Sequence, residues 1–130
     1  MKKRVIDAST LLAYLQGERG AADAGEYCKS AMMSAVNLTE VFQKSIERQG
    51  LAIVQAIVHQ ANIEIVPYGA EQAALVAELY LATKGKGVSL ADRACLALGR
   101  SCQLPVVTGD HAWEGLELGV ELVFFRPKSN

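Results

Sequence analysis

The chain has 130 residues, 51% hydrophobic and 21% charged, with 13 basic and 14 acidic side chains for a formal charge of −1. That length matches one ordinary domain spanning residues 1–130, and the composition excludes a disordered chain, a disulfide-dependent miniprotein and a protein steered to nucleic acid by a global positive field. The apolar fraction is high for the length, which points to a buried partner surface or to helices buried within the fold.

Arg4-Val5-Ile6 reads as a short apolar strand running into Asp7-Ala8-Ser9-Thr10, a polar turn suited to starting a helix. Leu11, Leu12 and Leu15 carry that helix to Gly17, and a second short helix is expected from Ala21 to Cys28. Ala31-Met32-Met33-Ser34 reads as a small buried strand. Leu38, Val41, Phe42 and Ile46 then recur at helical spacing as far as Gly50. Leu51 to Ala61 is a further helix, and Ile63 to Val66, closed by Pro67, a further strand. Glu71 to Thr83 predicts one apolar helix ending in Lys84-Gly85-Lys86-Gly87. Ser89 to Cys102 predicts another, followed by a buried strand at Pro105-Val106-Val107 with the polar exit Thr108-Gly109-Asp110. Val120 to Phe125 is the last strand.

Short apolar strands alternating with helices imply a three-layer α/β/α fold with a mainly parallel central sheet. The cysteines Cys28, Cys95 and Cys102 are odd in number and form no C-x-x-C pair, so they read as buried hydrophobes of a reducing compartment. Met1-Lys2-Lys3-Arg4 is basic, but Asp7, Ser9 and Thr10 break the apolar run a secretion signal needs. No segment approaches a membrane span. These features predict a soluble, cytoplasmic protein.

In such sheets ligands bind beyond the carboxyl ends of the strands. Asp7 and Asp110 each follow an apolar strand directly, while Glu40 and Asp92 fall in the first turns of helices. Each acid has a simpler explanation. Asp7 and Asp110 can cap the helices they precede, and Asn37-Leu38-Thr39-Glu40 and Ser89-Leu90-Ala91-Asp92 have capping-box spacing. The joint pattern is harder to explain that way, because all four stand at polar junctions at one end of one sheet. Two carboxylates about 4 Å apart repel by roughly 4 kcal/mol at an effective dielectric near 20. Several such pairs rival a whole domain's stability of about 5–15 kcal/mol. A converging cluster therefore binds cations or holds protons. All-oxygen donors favour Mg²⁺, Mn²⁺ or Ca²⁺ over zinc. His59 reads as structural within an apolar helix, and His111 as a surface residue beside Asp110.

Val5-Ile6-Asp7-Ala8-Ser9, Asn37-Leu38-Thr39-Glu40-Val41, Ser89-Leu90-Ala91-Asp92 and Val107-Thr108-Gly109-Asp110 resemble the four motif blocks of PIN-domain nucleases, in order and across essentially the whole chain. In length the sequence resembles the VapC-type toxins of toxin–antitoxin pairs. The resemblance implies that Asp7, Glu40, Asp92 and Asp110 bind Mg²⁺ or Mn²⁺, with Ser9 and Thr108 supporting them through hydroxyl hydrogen bonds. It implies endoribonuclease activity in which a metal-activated water attacks in line and leaves a 5′-phosphate and a 3′-hydroxyl. It also implies an RNA substrate, a small antitoxin that occludes the site, and a homodimer; the apolar helices around Leu51 to Val58 and Leu75 to Leu81 either form those contact surfaces or simply pack on the sheet. Lys84, Lys86 and Arg93 are the candidate grips on the RNA backbone; Arg93 stands where such sequences often have a small residue.

Two alternatives keep the fold: a non-catalytic binding module and a housekeeping RNA-processing nuclease. A phosphoacceptor receiver domain is excluded, because Asp7 has no acidic neighbour and no lysine closes the last strand. A haloacid-dehalogenase-like phosphatase is excluded by Ser9 at the second position of its Asp-x-Asp. No P-loop or dinucleotide-binding glycine pattern is present.

Overall fold

The structure, a computed structural model, describes residues 3–129, so Met1 and Lys2 of the basic start and Asn130 lie outside the described residues. Val5–Ile6 forms β1, and Asp7 ends it by turning its side chain to the backbone N–H of Thr10, which starts α1 at Ala8–Gln16. Gly17 stops α1 in the left-handed conformation that glycine adopts at little cost. Then follow α2 (Ala21–Cys28), β2 (Met32–Ser34), α3 (Ala35–Glu47), α4 (Leu51–Gln60), β3 (Glu64–Val66), α5 (Ala70–Glu78), α6 (Tyr80–Thr83), α7 (Leu90–Cys102), β4 (Val106–Thr108), a 3₁₀ turn at His111–Trp113 and β5 (Leu122–Phe124).

The five strands are parallel in the order β3-β2-β1-β4-β5. Val5 and Ile6 register with Val106 and Val107, which places the end of β1 beside the end of β4. Strand order reverses between these two strands, and a crevice opens there beyond their carboxyl ends. Alternation along the strands divides the core between the two faces. Ile6, Met33 and Val107 pack with α1 to α4, whereas Val5 and Val106 pack with α5, α7 and Trp113. The three-layer parallel architecture expected from the sequence is therefore the one observed.

Four local expectations are corrected. Ser34, not Asn37, caps α3, accepting from Val36 N at 3.2 Å, so the helix starts earlier and Glu40 lies in its second turn. The helix expected over Glu71–Thr83 is broken at Leu79, whose N–H bonds Val76 O at 3.1 Å in a tighter i→i−3 turn. Leu79 is fully buried with neither Gly nor Pro beside it, so anchoring in the core, and no local breaker, sets the break. His59 is exposed on α4 and has no structural role in the core. Of the three free cysteines, Cys28 and Cys95 are buried as expected, but Cys102, in the last turn of α7, is exposed. Burial pushes the Cys28 thiol up to about 12.

The helices called apolar in the sequence are only partly used by the core. Ile46 is 60% exposed, Ile53 65% and Leu81 82%. Among the described residues no helix is long and apolar enough to cross a membrane.

Candidate metal centre

Asp7 occupies the end of β1 because its carboxylate is worth more to the turn than any apolar side chain there. It is buried, and Oδ1 accepts from Ser9 Oγ at 2.8 Å, Thr10 N at 3.0 Å and Thr10 Oγ1 at 2.9 Å. Thr10 has one hydroxyl proton to share between Asp7 and Val107 O, 2.9 Å away. Asp7 Oδ2 accepts from Thr108 Oγ1 at 2.6 Å, a short charge-assisted bond. Ser9 Oγ also accepts from Gly109 N at 3.0 Å, and Thr108 Oγ1 from Asp110 N at 2.9 Å. The first and fourth motif blocks are thus one network.

Asp110 caps the 3₁₀ turn through Oδ1, which accepts from Ala112 N at 3.0 Å. Asp92 completes the capping box of α7: Ser89 Oγ accepts from Asp92 N at 3.0 Å and Asp92 Oδ2 accepts from Ser89 N at 2.9 Å. The capping explanation holds for these acids, and for Asp7, but it uses only part of each carboxylate. Asp110 Oδ2 and Asp92 Oδ1 have no hydrogen-bond partner among the described residues. Glu40 caps nothing; its Oε1 receives a long bond from Asn37 Nδ2 at 3.4 Å.

All four acids line one cavity of about 200 Å³, together with Ser9, Leu12 and Lys44. Burial, opposed by the hydroxyl and backbone donors, raises the Asp7 pKa above its usual value. Burial also raises Glu40, with Asp92 and Asp7 adding to the rise, and raises Asp92, with Asp110 adding. The thiol of Cys95, beneath them in α7, is pushed well up by burial and then by Asp7, Asp92 and Glu40. The acids therefore share one electrostatic neighbourhood. They do not yet close on a point: among the described residues no group of three or more His, Cys, Asp or Glu is close enough to hold an ion as placed. Each capping bond ties its acid to its own element.

The donor set nonetheless suits a hard divalent cation. The cavity offers carboxylate and hydroxyl oxygens and neither sulfur nor imidazole, which favours Mg²⁺ or Mn²⁺ over zinc.

The PIN-domain family model matches residues 4–117. The chain belongs to the PIN-domain family. A search of curated proteins finds no match to this PIN domain. Among solved structures it resembles a toxin–antitoxin complex from Klebsiella pneumoniae, with TM-score 0.75 and 16% identity over 92% of this chain and 95% of that one. A DNA-bound VapBC from Salmonella typhimurium aligns with TM-score 0.72 and 19% identity over 96% and 99%. A VapC toxin from Mycobacterium tuberculosis that cleaves the sarcin-ricin loop aligns with TM-score 0.68 and 17% identity over 92% and 99%. At these identities the likeness is one of fold.

Sequence reasoning missed three residues of this PIN domain's site. Thr10 adds two donors to Asp7, a role its place in the polar turn did not reveal. Asn37, read as a cap, is buried and donates to Ala91 O at 3.0 Å, tying α3 to the start of α7. Lys44 lines the acid cavity; its spacing of four from Glu40 was the available signal. The expected backbone grips stand outside the cavity. Lys84 and Lys86 are exposed in the turn before α7, and the Arg93 guanidinium lies 5.3 Å over the Tyr80 ring.

Proposed function

We propose that the chain, as one PIN-like domain over residues 1–130, is a divalent-metal-dependent endoribonuclease and the toxin of a toxin–antitoxin pair. The observation that carries this reading is the single cavity lined by Asp7, Glu40, Asp92 and Asp110, whose shared burial disfavours the all-ionised state in the absence of a cation. PIN-fold proteins are in general metal-dependent nucleases, and the oxygen-only donor set fits that chemistry.

Asp7, Asp92 and Asp110 would hold the ion directly or through water, with Asp92 Oδ1, Asp110 Oδ2 and the lone pair left on Asp7 Oδ2 as the oxygens free to do so. When bound, Mg²⁺ or Mn²⁺ neutralises phosphate charge and lowers the pKa of water. Ser9, Thr10 and Thr108 fix the Asp7 carboxylate so that it cannot swing away. Glu40, its pKa raised by burial, orients the attacking water and takes its proton at the carboxylate. Attack in line with the departing 3′-oxygen breaks the P–O3′ bond and leaves a 5′-phosphate and a 3′-hydroxyl, the leaving oxygen taking its proton from solvent water.

The Klebsiella pneumoniae structure is of a toxin–antitoxin complex, and the exposed apolar side chains here give an antitoxin and a second copy of the chain surfaces to cover. The cytoplasm, where RNA and a co-expressed antitoxin are both available, is the compartment this reading requires. One observation favours the alternative of a non-catalytic binding module: among the described residues no three acids are drawn together closely enough to hold an ion.

The deciding experiment incubates structured cellular RNA with the protein in Mg²⁺, in Mn²⁺ and in EDTA, and maps product ends. Metal-dependent cuts with 5′-phosphate ends, abolished by Asp7→Asn, Glu40→Gln, Asp92→Asn and Asp110→Asn, are expected. Cleavage that persists in EDTA, or products ending in 2′,3′-cyclic phosphate, would refute the mechanism. No cleavage by wild type in either metal would leave the binding module as the better reading.

A further inference from the structure

An acidic cavity repels the substrate it is proposed to cleave, so an RNA strand needs positive charge close to the acids. Lys44 is the one cation among the residues lining that cavity. It lies one turn after Glu40 on α3, and Arg48, the C-cap of that helix, follows one turn further along the same side. Lys44 and Arg48 also line a second cavity of about 180 Å³ between α1, α3 and α4, and Leu12 and Lys44 belong to both cavities. The acid site therefore continues into a groove along this basic edge.

Both cations are exposed, and neither takes part in an ion pair among the described residues. Lys3 and Lys29, by contrast, are each paired with a glutamate at 2.9 Å. Glu40 four residues before Lys44 is the favoured order for a helical ion pair, and Lys44 influences Glu40 electrostatically without closing on it. Its ammonium is left available to an external anion.

We propose that Lys44 and Arg48 form a two-residue phosphate rail that leads the RNA backbone along α3 into the acid cavity, an inference that rests on the nuclease reading. Successive rungs are about 6 Å apart by helix geometry, a spacing at which two cations address neighbouring phosphates rather than one. The groove floor between them is aliphatic, with Leu15, Ile53 and Ile57 and no aromatic ring for a base to stack on. The rail therefore positions backbone and does not select bases.

The test is fluorescence anisotropy of a short single-stranded RNA of mixed sequence, titrated in Mg²⁺ over a range of salt. An Asp110→Asn background slows cleavage during the measurement. Lys44→Gln and Arg48→Gln are each expected to weaken binding to every sequence alike. Each should lower the slope of log affinity against log salt by about 0.7, and the double variant by about 1.4. Lys44→Arg should keep the parent slope, as should Lys3→Gln, which removes a paired lysine remote from the site. Thermal melts should be unchanged throughout, because neither side chain is buried. A double variant with the parent's affinity and slope would overturn the rail while leaving the nuclease reading intact. A parent that binds no RNA at any salt would overturn the nuclease reading and the rail with it.

Discussion

Thr108 joins Asp7 to Asp110 through one hydroxyl: its Oγ1 donates to Asp7 Oδ2 at 2.6 Å and accepts from Asp110 N at 2.9 Å. Two acids from opposite ends of the chain are thereby fixed in relation to each other by a side chain that is itself fully buried. Thr108→Val keeps the shape of the side chain but removes both bonds. A buried hydrogen bond to a charged group contributes about 1.5–3 kcal/mol, so urea unfolding should report a loss of that size. Thr108→Ser keeps the hydroxyl and should lose only about 1 kcal/mol for the methyl group. Equal losses in the two variants would mean that packing, not the hydroxyl, holds the two acids.

Much of this candidate site was legible in the sequence because three of its four acids, Asp7, Asp92 and Asp110, double as helix caps. Asp7 and Ser89-Leu90-Ala91-Asp92 announce helix starts in the local code, and the structure places both caps as read. The start of α3 was not legible, since Ser34 and Asn37 are both good caps and only the register of β2 decides between them. Nor was the break at Leu79, which depends on a contact with the core and not on a local signal. Lys44 was only half legible for a related reason: its spacing of four from Glu40 is local, but its other partners in the cavity come from the ends of β1 and β4, from α1 and from α7, and no motif spacing records them.

The raised pKa values of Asp7, Glu40 and Asp92 set the sign of the pH dependence. A carboxyl whose folded pKa exceeds its unfolded value binds more protons in the folded state between the two. Stability then falls as pH rises through that window and stays low above it. In EDTA, the melting temperature should rise as pH is lowered from neutral toward the ordinary carboxylate range, before general acid unfolding sets in. Asp7→Asn keeps the cap acceptor at Oδ1 but cannot ionise, so, whatever it loses at Oδ2, it should flatten the rise with falling pH. A wild-type melting temperature that falls steadily from pH 7 downward would contradict this.

Gly99 lets α7 lie against β4. A Cβ there would stand 2.4 Å from Val106 Cγ2, 3.1 Å from Val120 Cγ2 and 3.2 Å from Leu104 O. Ala gains about 1 kcal/mol of helix propensity over Gly, but overpacking a fixed core costs about 1–3 kcal/mol. Val106 is fully buried and the Leu104 contact is backbone, so neither gives way cheaply. Gly99→Ala should therefore be destabilising by up to about 2 kcal/mol net in urea melts. A stabilised variant would show that α7 can shift outward without loss.

Leu81 is 82% exposed, with Tyr80 at 48% and Leu90 at 57% nearby in the chain. If this apolar surface is the homodimer contact, Leu81→Glu places a charge in it without disturbing the monomer's core. Light scattering over a concentration series should find a dimer for wild type and a monomer for Leu81→Glu. The melting temperature extrapolated to low concentration should be the same for both. A wild-type monomer at every concentration would remove the dimer, and a Leu81→Glu dimer would move the contact elsewhere.

Divalent cations should stabilise the folded chain, because binding relieves the repulsion that burial has built up and so tightens the site's affinity. A ligand that binds only the folded state, at about a hundredfold excess over its Kd, contributes about 2.7 kcal/mol. Melting with Mg²⁺ or Mn²⁺ against EDTA at neutral pH reads this directly. Asp92→Asn is the sharper control than a deletion of side chain, since an amide oxygen can still accept from Ser89 N and the capping box that starts α7 survives. Wild type should gain several degrees with either metal and Asp92→Asn little or nothing. Lowering the pH should shrink the wild-type gain, as protons compete for the same raised carboxyls. An equal gain in both proteins would place the ion away from this cavity. No gain in wild type would mean that the acids serve as caps alone, and that the cavity holds its charge with protons instead of metal.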